Sequence, residues 1–285
     1  MYKHLTTLLI LLSIFSVGCN KKEDSSSEAP SESTESPINP TPDVPSGPDP
    51  TPSTPADARA GKVTLWDRSS GYDCAVFLPA DYGTDPNKTY PMILSLHGLN
   101  GSVLNTAHTA VGGGKTGFIK QVWSTTLAQK YPAIVIAPNW APAGSNGSGL
   151  WIHSQLRQVI LDAMEKYQVD TDRIVVTGLS AGSIGTQELI KNSKDLIAGA
   201  MPGAYSNTFS DVCEMADIPV WVFGNNSDNL FASTGWQTIQ PKVESCSNYI
   251  HEFTLTVYNS TCGHGCWDSH WAKPEVQEWL INQRK

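Results

Sequence analysis

One serine of this chain stands between two glycines where a strand-like segment meets a helix-like one. The pentapeptide Gly-Leu-Ser-Ala-Gly, residues 178–182, follows the apolar run 173–177 and opens the helix-compatible run 181–192. Glycines on both sides allow a sharp turn, because a Cβ would crowd the backbone at such a junction. The turn would expose the hydroxyl of Ser180 at a helix N-terminus, where the amide dipoles favour negative charge. The feature therefore predicts a sheet whose strands lead directly into helices.

Short apolar runs alternate with longer amphipathic runs along most of the chain. The predicted strands are residues 62–66, 74–78, 92–96, 134–137, 174–177, 220–223 and 253–258. The predicted helices are residues 117–129, 154–167, 181–192, 234–245 and 274–282. This alternation indicates an α/β fold with a mostly parallel sheet and right-handed crossovers. No helix separates the first two strands, so we expect them to form an antiparallel hairpin at the sheet edge. Reactive groups are expected at the carboxyl ends of the strands.

The N-terminal part of the chain is expected to lie outside the folded domain. Residues 1–19 are typical of a secretion signal, with an apolar core too short to remain as a membrane anchor. Cys19 ends this run as in a bacterial lipobox, although Ser16 stands where leucine is commonest. We predict that Cys19 is lipidated; an ordinary signal peptide with a chance cysteine is the alternative. Residues 20–57 hold nine prolines and no aromatic residue, which predicts a solvated tether.

Residues 58–285 are long enough for one large domain with a full core. Residues 20–57 carry a net charge of −6 and residues 1–19 carry +1, so only −3 of the total −8 belongs to this domain. A nearly neutral domain does not favour nucleic acid as a partner. The predicted location is the outer membrane of a bacterium, exposed at the cell surface through a lipid anchor. Lys22-Glu23-Asp24 resembles a surface-export signal of Bacteroidetes lipoproteins; secretion or a periplasmic location is the alternative.

Five cysteines lie in the domain, and an odd number leaves at least one free or paired elsewhere. The predicted disulfides join Cys213 to Cys246 and Cys262 to Cys266. A zinc site is the alternative for the second pair, because these two cysteines cluster around His264. No second ligand pair stands at zinc-finger spacing, and an oxidising compartment disfavours thiolates. We therefore predict no metal.

A serine hydroxyl becomes a good nucleophile when a base takes its proton and an acid orients that base. In sheets of this kind the order along the chain is serine, acid, histidine. His264 lies between glycines directly after the last predicted strand and is the preferred base, with His270 as the alternative. His251 stands at the entrance to a strand, where a surface role is simpler. Asp228 is the only acid in the loop after strand 220–223 and is the predicted acid.

Two backbone amides are expected to stabilise an oxyanion. One belongs to Ala181, directly after the serine, and the other to Leu99, in the loop after predicted strand 92–96. Gly98 would let this loop come close to a reacting carbonyl. His97 is expected to brace the loop rather than to act as a base, because it lies outside the expected order.

Three motifs occur in order along the domain. Residues 90–98 read Tyr-Pro-Met-Ile-Leu-Ser-Leu-His-Gly, residues 169–182 end in the Gly-Leu-Ser-Ala-Gly turn, and residues 263–268 read Gly-His-Gly-Cys-Trp-Asp. Together they resemble the secreted α/β-hydrolase esterases, especially the polyhydroxybutyrate depolymerase and feruloyl esterase group. The resemblance implies an α/β-hydrolase fold with helices on both faces of the sheet. It also implies that the triad is formed by Ser180, Asp228 and His264.

The chain departs from this family at two places. The loop before the acid usually carries His-Gly after the strand, whereas Gly224-Asn225-Asn226 stands here. Ser183 stands after the Gly-Leu-Ser-Ala-Gly turn, where glycine is common. Neither change removes a catalytic group.

The resemblance further implies carboxylic ester hydrolysis, and acyl transfer by such a triad requires no cofactor. A surface lipoprotein on a long tether is expected to act on material outside the cell. Feruloyl or acetyl esters of polysaccharide, or a polyester such as polyhydroxybutyrate, are the expected substrates. Five tryptophans near loops after strands are candidates for lining the cleft, Trp267 foremost, with core packing as the alternative: Trp140, Trp151, Trp236, Trp267 and Trp271. Two other function classes remain open, a serine peptidase with the same triad and a non-catalytic surface binding lipoprotein on this scaffold.

Overall fold

The computed structural model describes residues 56–99, 117–123, 126–140, 151–204, 209–232, 236–265 and 267–285. All of them fall within the unit Pro50–Lys285. The predicted signal, the predicted lipidation site Cys19, nearly all of the predicted tether and Cys266 lie outside the described residues. Across these ranges, no helix is both long and apolar enough to cross a membrane.

An eight-stranded sheet forms the centre of the described domain. Its strands are β1 (Val63–Trp66), β2 (Cys74–Phe77), β3 (Tyr90–Leu96), β4 (Ile134–Pro138), β5 (Val169–Leu179), β6 (Gly199–Gly203), β7 (Val220–Asn225) and β8 (Phe253–Tyr258). Their order in space is β1-β2-β4-β3-β5-β6-β7-β8. The pairs β1/β2 and β2/β4 are antiparallel, and all others are parallel. The predicted edge hairpin and the predicted mostly parallel sheet are therefore confirmed.

Six α-helices accompany the sheet in the described ranges. They are α1 (His153–Lys166), α2 (Ala181–Asn192), α3 (Asn229–Ala232), α4 (Trp236–Glu244), α5 (Asp268–Trp271) and α6 (Pro274–Asn282). The predicted helices after β4, β5, β7 and β8 are confirmed to within a few residues as α1, α2, α4 and α6. A short 3₁₀ helix, Val212–Met215, lies ahead of β7.

The predicted continuous helix over residues 117–129 is wrong. Two 3₁₀ helices, Phe118–Val122 and Thr126–Gln129, take its place. All apolar residues of the first 3₁₀ helix are buried. The backbone N–H of Ile119 in this helix donates to Ser95 Oγ of β3 at 3.1 Å. Contacts to the sheet thus decide the local conformation, although the apolar spacing imitates an amphipathic helix.

The sheet separates two hydrophobic cores, because successive residues of a strand point to opposite faces. Met92 and Leu94 belong to one core, together with buried residues of α1, α2 and α4. Ile93 belongs to the other core, together with buried residues of α5 and α6. Helices therefore cover both faces, which leaves the strand ends and their loops to carry a site.

The cysteines are partly as predicted. Cys213 and Cys246 form a disulfide with a Cα to Cα distance of 5.6 Å, which confirms that pair and joins the segments that precede β7 and β8. Cys262 is also disulfide-bonded, but its predicted partner Cys266 lies outside the described residues, so the second pairing stays a prediction. Cys74 is free and buried in β2.

Candidate active site

Ser180 occupies a strained turn between β5 and α2. Its backbone angles are φ 55° and ψ −118°, a combination that costs a non-glycine residue about 1–3 kcal/mol. Hydrogen bonds on both sides support it: the Ser180 N–H donates to Gly203 O at 2.9 Å, and the Ser180 carbonyl accepts from Ser183 N–H at 2.9 Å. Strain held in this way at a strand end is typical of a functional serine.

The two glycines of the turn are needed for close approach of backbone to backbone. A Cβ on Gly178 would lie 2.4 Å from the carbonyl oxygen of Gly182. A Cβ on Gly182 would lie 2.3 Å from the carbonyl oxygen of Leu96, at the end of β3. The first turn of α2 therefore lies directly against the end of β3, which places Ser180 beside the loop that follows it.

His264 and Asp228 are joined by a hydrogen bond. His264 Nδ1 donates to Asp228 Oδ2 at 2.7 Å, and the Asp228 side chain is 1% exposed while that of His264 is 34% exposed. Asp228 Oδ1 accepts the backbone N–H groups of Leu230 at 2.9 Å and Phe231 at 3.3 Å. All these partners are donors, so the carboxylate acts as an acceptor throughout. The arrangement fixes the imidazole by Nδ1 and leaves Nε2 as the nitrogen able to take a proton.

Packing across the strand ends connects the serine to the histidine. Gly203, which accepts the Ser180 N–H, lies against the ring of Phe223, since a Cβ on Gly203 would be 2.2 Å from that ring. The Phe223 and Trp267 rings are 5.9 Å apart between centroids, as are the His264 and Trp267 rings. Trp267 Nε1 also donates to the His264 carbonyl at 3.3 Å. The structure thus places the three predicted triad residues at the carboxyl ends of the parallel strands β5, β7 and β8.

His270, the alternative base, is buried against the sheet. Its side chain stacks on the ring of Phe223 with centroids 3.8 Å apart, and its Nδ1 is hydrogen-bonded to the hydroxyl of Tyr258. Burial lowers the pKa of His270 to about 3. A phenol rather than a carboxylate orients this ring, which favours His264 as the base. His251 is exposed before the amino end of β8, at the opposite end of the strand from His264.

His97 braces the loop after β3. Its Nε2 accepts the backbone N–H of Trp140 at 3.0 Å, so Nδ1 carries the proton and donates to the carbonyl of Gly98 at 2.7 Å. Burial lowers the pKa of His97 to about 4, which keeps the ring neutral. The predicted bracing geometry is therefore present between the ends of β3 and β4.

The braced loop passes beside the serine. A Cβ on Gly98 would lie 3.5 Å from the Cβ of Ser180. The two predicted oxyanion donors follow the two residues of this contact, Leu99 after Gly98 and Ala181 after Ser180. The role of their amides toward an oxyanion stays a prediction.

Most of the candidate cleft tryptophans are core residues. Trp140, Trp151 and Trp271 are buried in the two cores, so packing explains them. Trp267 is 5% exposed, and its contacts support the histidine loop, while its predicted role in substrate binding remains a prediction. The side chain of Trp236 lies outside what the structure describes.

Two residues of the segment 225–228, which ends at the predicted acid, were not singled out from the sequence as functional. Asn225 Nδ2 donates to Gly263 O at 2.6 Å, and the Gly263 N–H donates to Ser227 Oγ at 2.9 Å. The sequence signal was the Gly224-Asn225-Asn226 departure at this loop. The role of these residues depends on their contacts with Gly263, in the loop after β8, and the sequence alone did not predict those contacts.

No cluster of three or more histidine, cysteine, aspartate or glutamate side chains that could hold a metal ion occurs in the described ranges. The sulfur of Cys262 is in a disulfide, so it offers no thiolate for the zinc alternative.

Several known proteins are similar to this chain in sequence or in structure. A bifunctional acetylxylan esterase/xylanase of Neocallimastix patriciarum is 27% identical over 175 residues, which cover 58% of this chain and 22% of that protein. A thermostable esterase superposes with a TM-score of 0.62 at 24% identity, covering 80% of this chain and 64% of the other. A feruloyl esterase module from Clostridium thermocellum, solved with sinapinate, gives a TM-score of 0.52 at 15% identity, covering 82% and 91%.

No family model matches the chain. The chain spans about a fifth of the length of the curated relative and less than two thirds of the thermostable esterase. The structural similarities show that the chain has the α/β-hydrolase fold, as the resemblance implied.

Proposed function

We propose that this protein is a serine carboxylic ester hydrolase in which Ser180, His264 and Asp228 form the triad. The observation that carries the proposal is the 2.7 Å hydrogen bond from His264 Nδ1 to the buried Asp228 carboxylate. This hydrogen bond lies at the carboxyl ends of the strands, as does the strained turn of Ser180. The esterases among the similar proteins support the same chemistry.

The proposed reaction is two-step acyl transfer. His264 Nε2 takes the proton of the Ser180 hydroxyl as Oγ attacks the ester carbonyl carbon. The amides of Leu99 and Ala181 donate to the oxyanion, and Asp228 stabilises the imidazolium. The proton then passes from His264 to the leaving alcohol, which departs and leaves an acyl-enzyme. Water loses a proton to His264 as it attacks the acyl carbon, and Ser180 recovers its proton when the acid is released. No step calls for a cofactor.

The proposed substrates are feruloyl or acetyl esters of polysaccharide, with a polyester such as polyhydroxybutyrate as the alternative. The acetylxylan esterase and the feruloyl esterase module among the similar proteins support the first class. Two leucines beside the site are exposed, Leu99 by 50% and Leu230 by 48%. Exposed apolar side chains beside the site are suited to contact the apolar part of an acyl group.

We also propose that the protein works outside the cell as a surface-exposed lipoprotein of the bacterial outer membrane, anchored through Cys19. The lipobox-like end of the signal and the proline-rich tether support this location. Metabolic labelling with an alkyne fatty acid should mark the full-length protein and should fail for Cys19→Ala. Labelling of both proteins, or of neither, would contradict the anchor.

Hydrolysis of p-nitrophenyl acetate and butyrate by the full-length protein tests the proposed activity. Ser180→Ala should abolish turnover and labelling by a fluorophosphonate probe. Ser183→Ala, which removes a buried hydroxyl from the same turn of α2, is the matched control and should retain both. Methyl ferulate and acetylated xylan then distinguish the two polysaccharide esters.

Three results would overturn parts of this proposal. Turnover that survives in Ser180→Ala would exclude the triad. Cleavage of a peptide anilide without cleavage of the nitrophenyl esters would favour a peptidase. Binding of polysaccharide by a protein that resists the fluorophosphonate probe would favour a binding lipoprotein.

A further inference from the structure

We infer that Asn225 and Ser227 are positioning residues that hold His264 in register with Asp228 by binding the backbone of Gly263. The inference rests on the proposed function, because His264 is the base of that reaction. We call Asn225 and Ser227 the clamp.

The clamp holds both polar backbone groups of one residue. Asn225 Nδ2 donates to Gly263 O at 2.6 Å, and Ser227 Oγ accepts the Gly263 N–H at 2.9 Å. The two clamp residues are also bound to each other, since Asn225 Oδ1 accepts from Ser227 N at 2.9 Å and from Ser227 Oγ at 2.8 Å. Gly263 therefore sits in a closed hydrogen-bonded ring rather than on a single contact.

The clamped residue directly precedes the base. Gly263 has φ 59°, a left-handed conformation that sets the direction in which the chain enters His264. Ser227 in turn directly precedes Asp228. The segment 225–228 thus holds the ring of His264 through Asp228 and the backbone of the residue before it through the clamp.

Burial makes these contacts costly to break. Asn225 is fully buried at the end of β7, and a buried carbonyl or amide that loses its partner pays the whole desolvation penalty. Asn225 uses both Nδ2 and Oδ1 within the ring, and Nδ2 also contacts Cys262 Sγ at 3.8 Å. Replacement of Asn225 by alanine would remove the donor to the half-buried Gly263 carbonyl and leave the buried acceptor contacts of Ser227 unmade.

The neighbouring Asn226 offers a matched control. Its Nδ2 donates to Asn259 Oδ1 at 2.8 Å, and its Oδ1 accepts the Ser260 N–H at 3.2 Å. Asn226 is exposed and binds the same two loops together, but three residues or more before Gly263. It therefore separates general cohesion of the loops from control of His264.

The test compares Ser227→Ala, Asn225→Ala and Asn226→Ala in the full-length protein, with the nitrophenyl esters as substrates. Each clamp variant should lower kcat about 10- to 100-fold, the loss expected when a catalytic group is misplaced by up to about 1 Å. KM should change much less, and the apparent pKa of the acidic limb of the kcat/KM profile should move. Ser227→Thr, which restores the hydroxyl, should recover most of kcat. Asn226→Ala should stay near the wild-type rate.

The pH profile is informative because these variants change no charged group. Among the described residues, the titratable side chain that contacts His264 is Asp228, while Asp268 of α5 pairs with Lys120 and the buried His270 is bonded to Tyr258. A merely structural role of the clamp would lower Tm without moving the profile.

A second measurement does not depend on turnover. The proton of the His264 Nδ1 to Asp228 hydrogen bond should give a downfield NMR resonance in the wild type and in Asn226→Ala, and this resonance should broaden or vanish in Ser227→Ala. An unchanged resonance and unchanged kcat in Ser227→Ala would overturn the inference, as would an equal loss in Asn226→Ala. A wild type that shows the resonance but no hydrolysis would refute the proposed function and not the clamp.

Discussion

Acidification from pH 8 to pH 5 should destabilise this protein through two buried histidines. Burial lowers the pKa of His97 to about 4 and that of His270 to about 3, from an ordinary value of 6.5. The unfolded chain therefore binds protons at these sites between pH 6.5 and pH 4, where the folded protein does not. Stability contributed by the neutral rings is complete above pH 6.5 and is lost as the pH falls through this window.

The magnitude follows from the distance between the assay pH and the unfolded pKa. At pH 5 each histidine is about 1.5 pH units below its unfolded value and still neutral in the fold, which corresponds to about 2 kcal/mol. The two together remove about 4 kcal/mol, a large part of the 5–15 kcal/mol that holds a typical domain together. The hydrogen bond from Arg59 lowers the pKa of Asp57 to about 2. The stability that this carboxylate contributes is therefore lost only below pH 5, outside the range from pH 8 to pH 5.

Urea unfolding at pH 8 and pH 5, compared with the variant His270→Phe, measures this effect. Phenylalanine keeps a ring against Phe223 but cannot titrate, so the pH-dependent loss should fall from about 4 to about 2 kcal/mol. The lost hydrogen bond to Tyr258 shifts the free energy of unfolding by the same amount at both pH values. An unaltered pH dependence in His270→Phe would refute the reasoning. The variant should also keep esterase activity, because His270 is not the proposed base.

Two further predictions concern the acid and the disulfide. Asp228→Asn replaces the carboxylate that accepts from His264 Nδ1 with a neutral amide and should lower kcat about 10³- to 10⁴-fold with an unchanged circular dichroism spectrum; a loss below tenfold would remove Asp228 from the proposed triad. The double variant Cys213→Ser with Cys246→Ser opens a loop of 33 residues and should reduce the free energy of unfolding by about 3–4 kcal/mol. Its kcat at low temperature should match that of the wild type, because the disulfide lies before β7 and β8 rather than after them.

Periodicity and glycine placement were sufficient for much of the sheet and for the serine turn. Strand β6 was missed because Gly-Ala-Met-Pro-Gly has none of the β-branched residues that mark a strand. The structure explains this composition at Gly203, where a Cβ would lie 2.2 Å from the ring of Phe223. The small residue is a requirement of the neighbouring strand, so it could not be recognised from its own segment.

Strand β5 shows the same limit at its start. The sequence predicts only residues 174–177 as strand, because Asp-Thr-Asp-Arg reads as a polar turn, yet the strand runs from Val169 to Leu179. Its early part is anchored by pairing of Val169 with Tyr90 across a register irregularity. Pairing partners distant in sequence decided the outcome, as they did for the 3₁₀ segments before β4.

The segment 225–228 shows the same dependence on a partner that is distant in sequence. The chain order of serine, acid and histidine selects Ser180, Asp228 and His264 as the proposed triad, because the carboxyl ends of parallel strands lie on the same side of a sheet. Order alone says nothing about how a base on a loop after the last strand keeps its orientation. Here the residues that replace the usual His-Gly provide an amide, and Asn225 uses it to bind the carbonyl before His264. This departure therefore links the segments that carry Asp228 and His264. We expect substitutions at Asn225 to lower kcat, although Asn225 lies far along the chain from both Ser180 and His264.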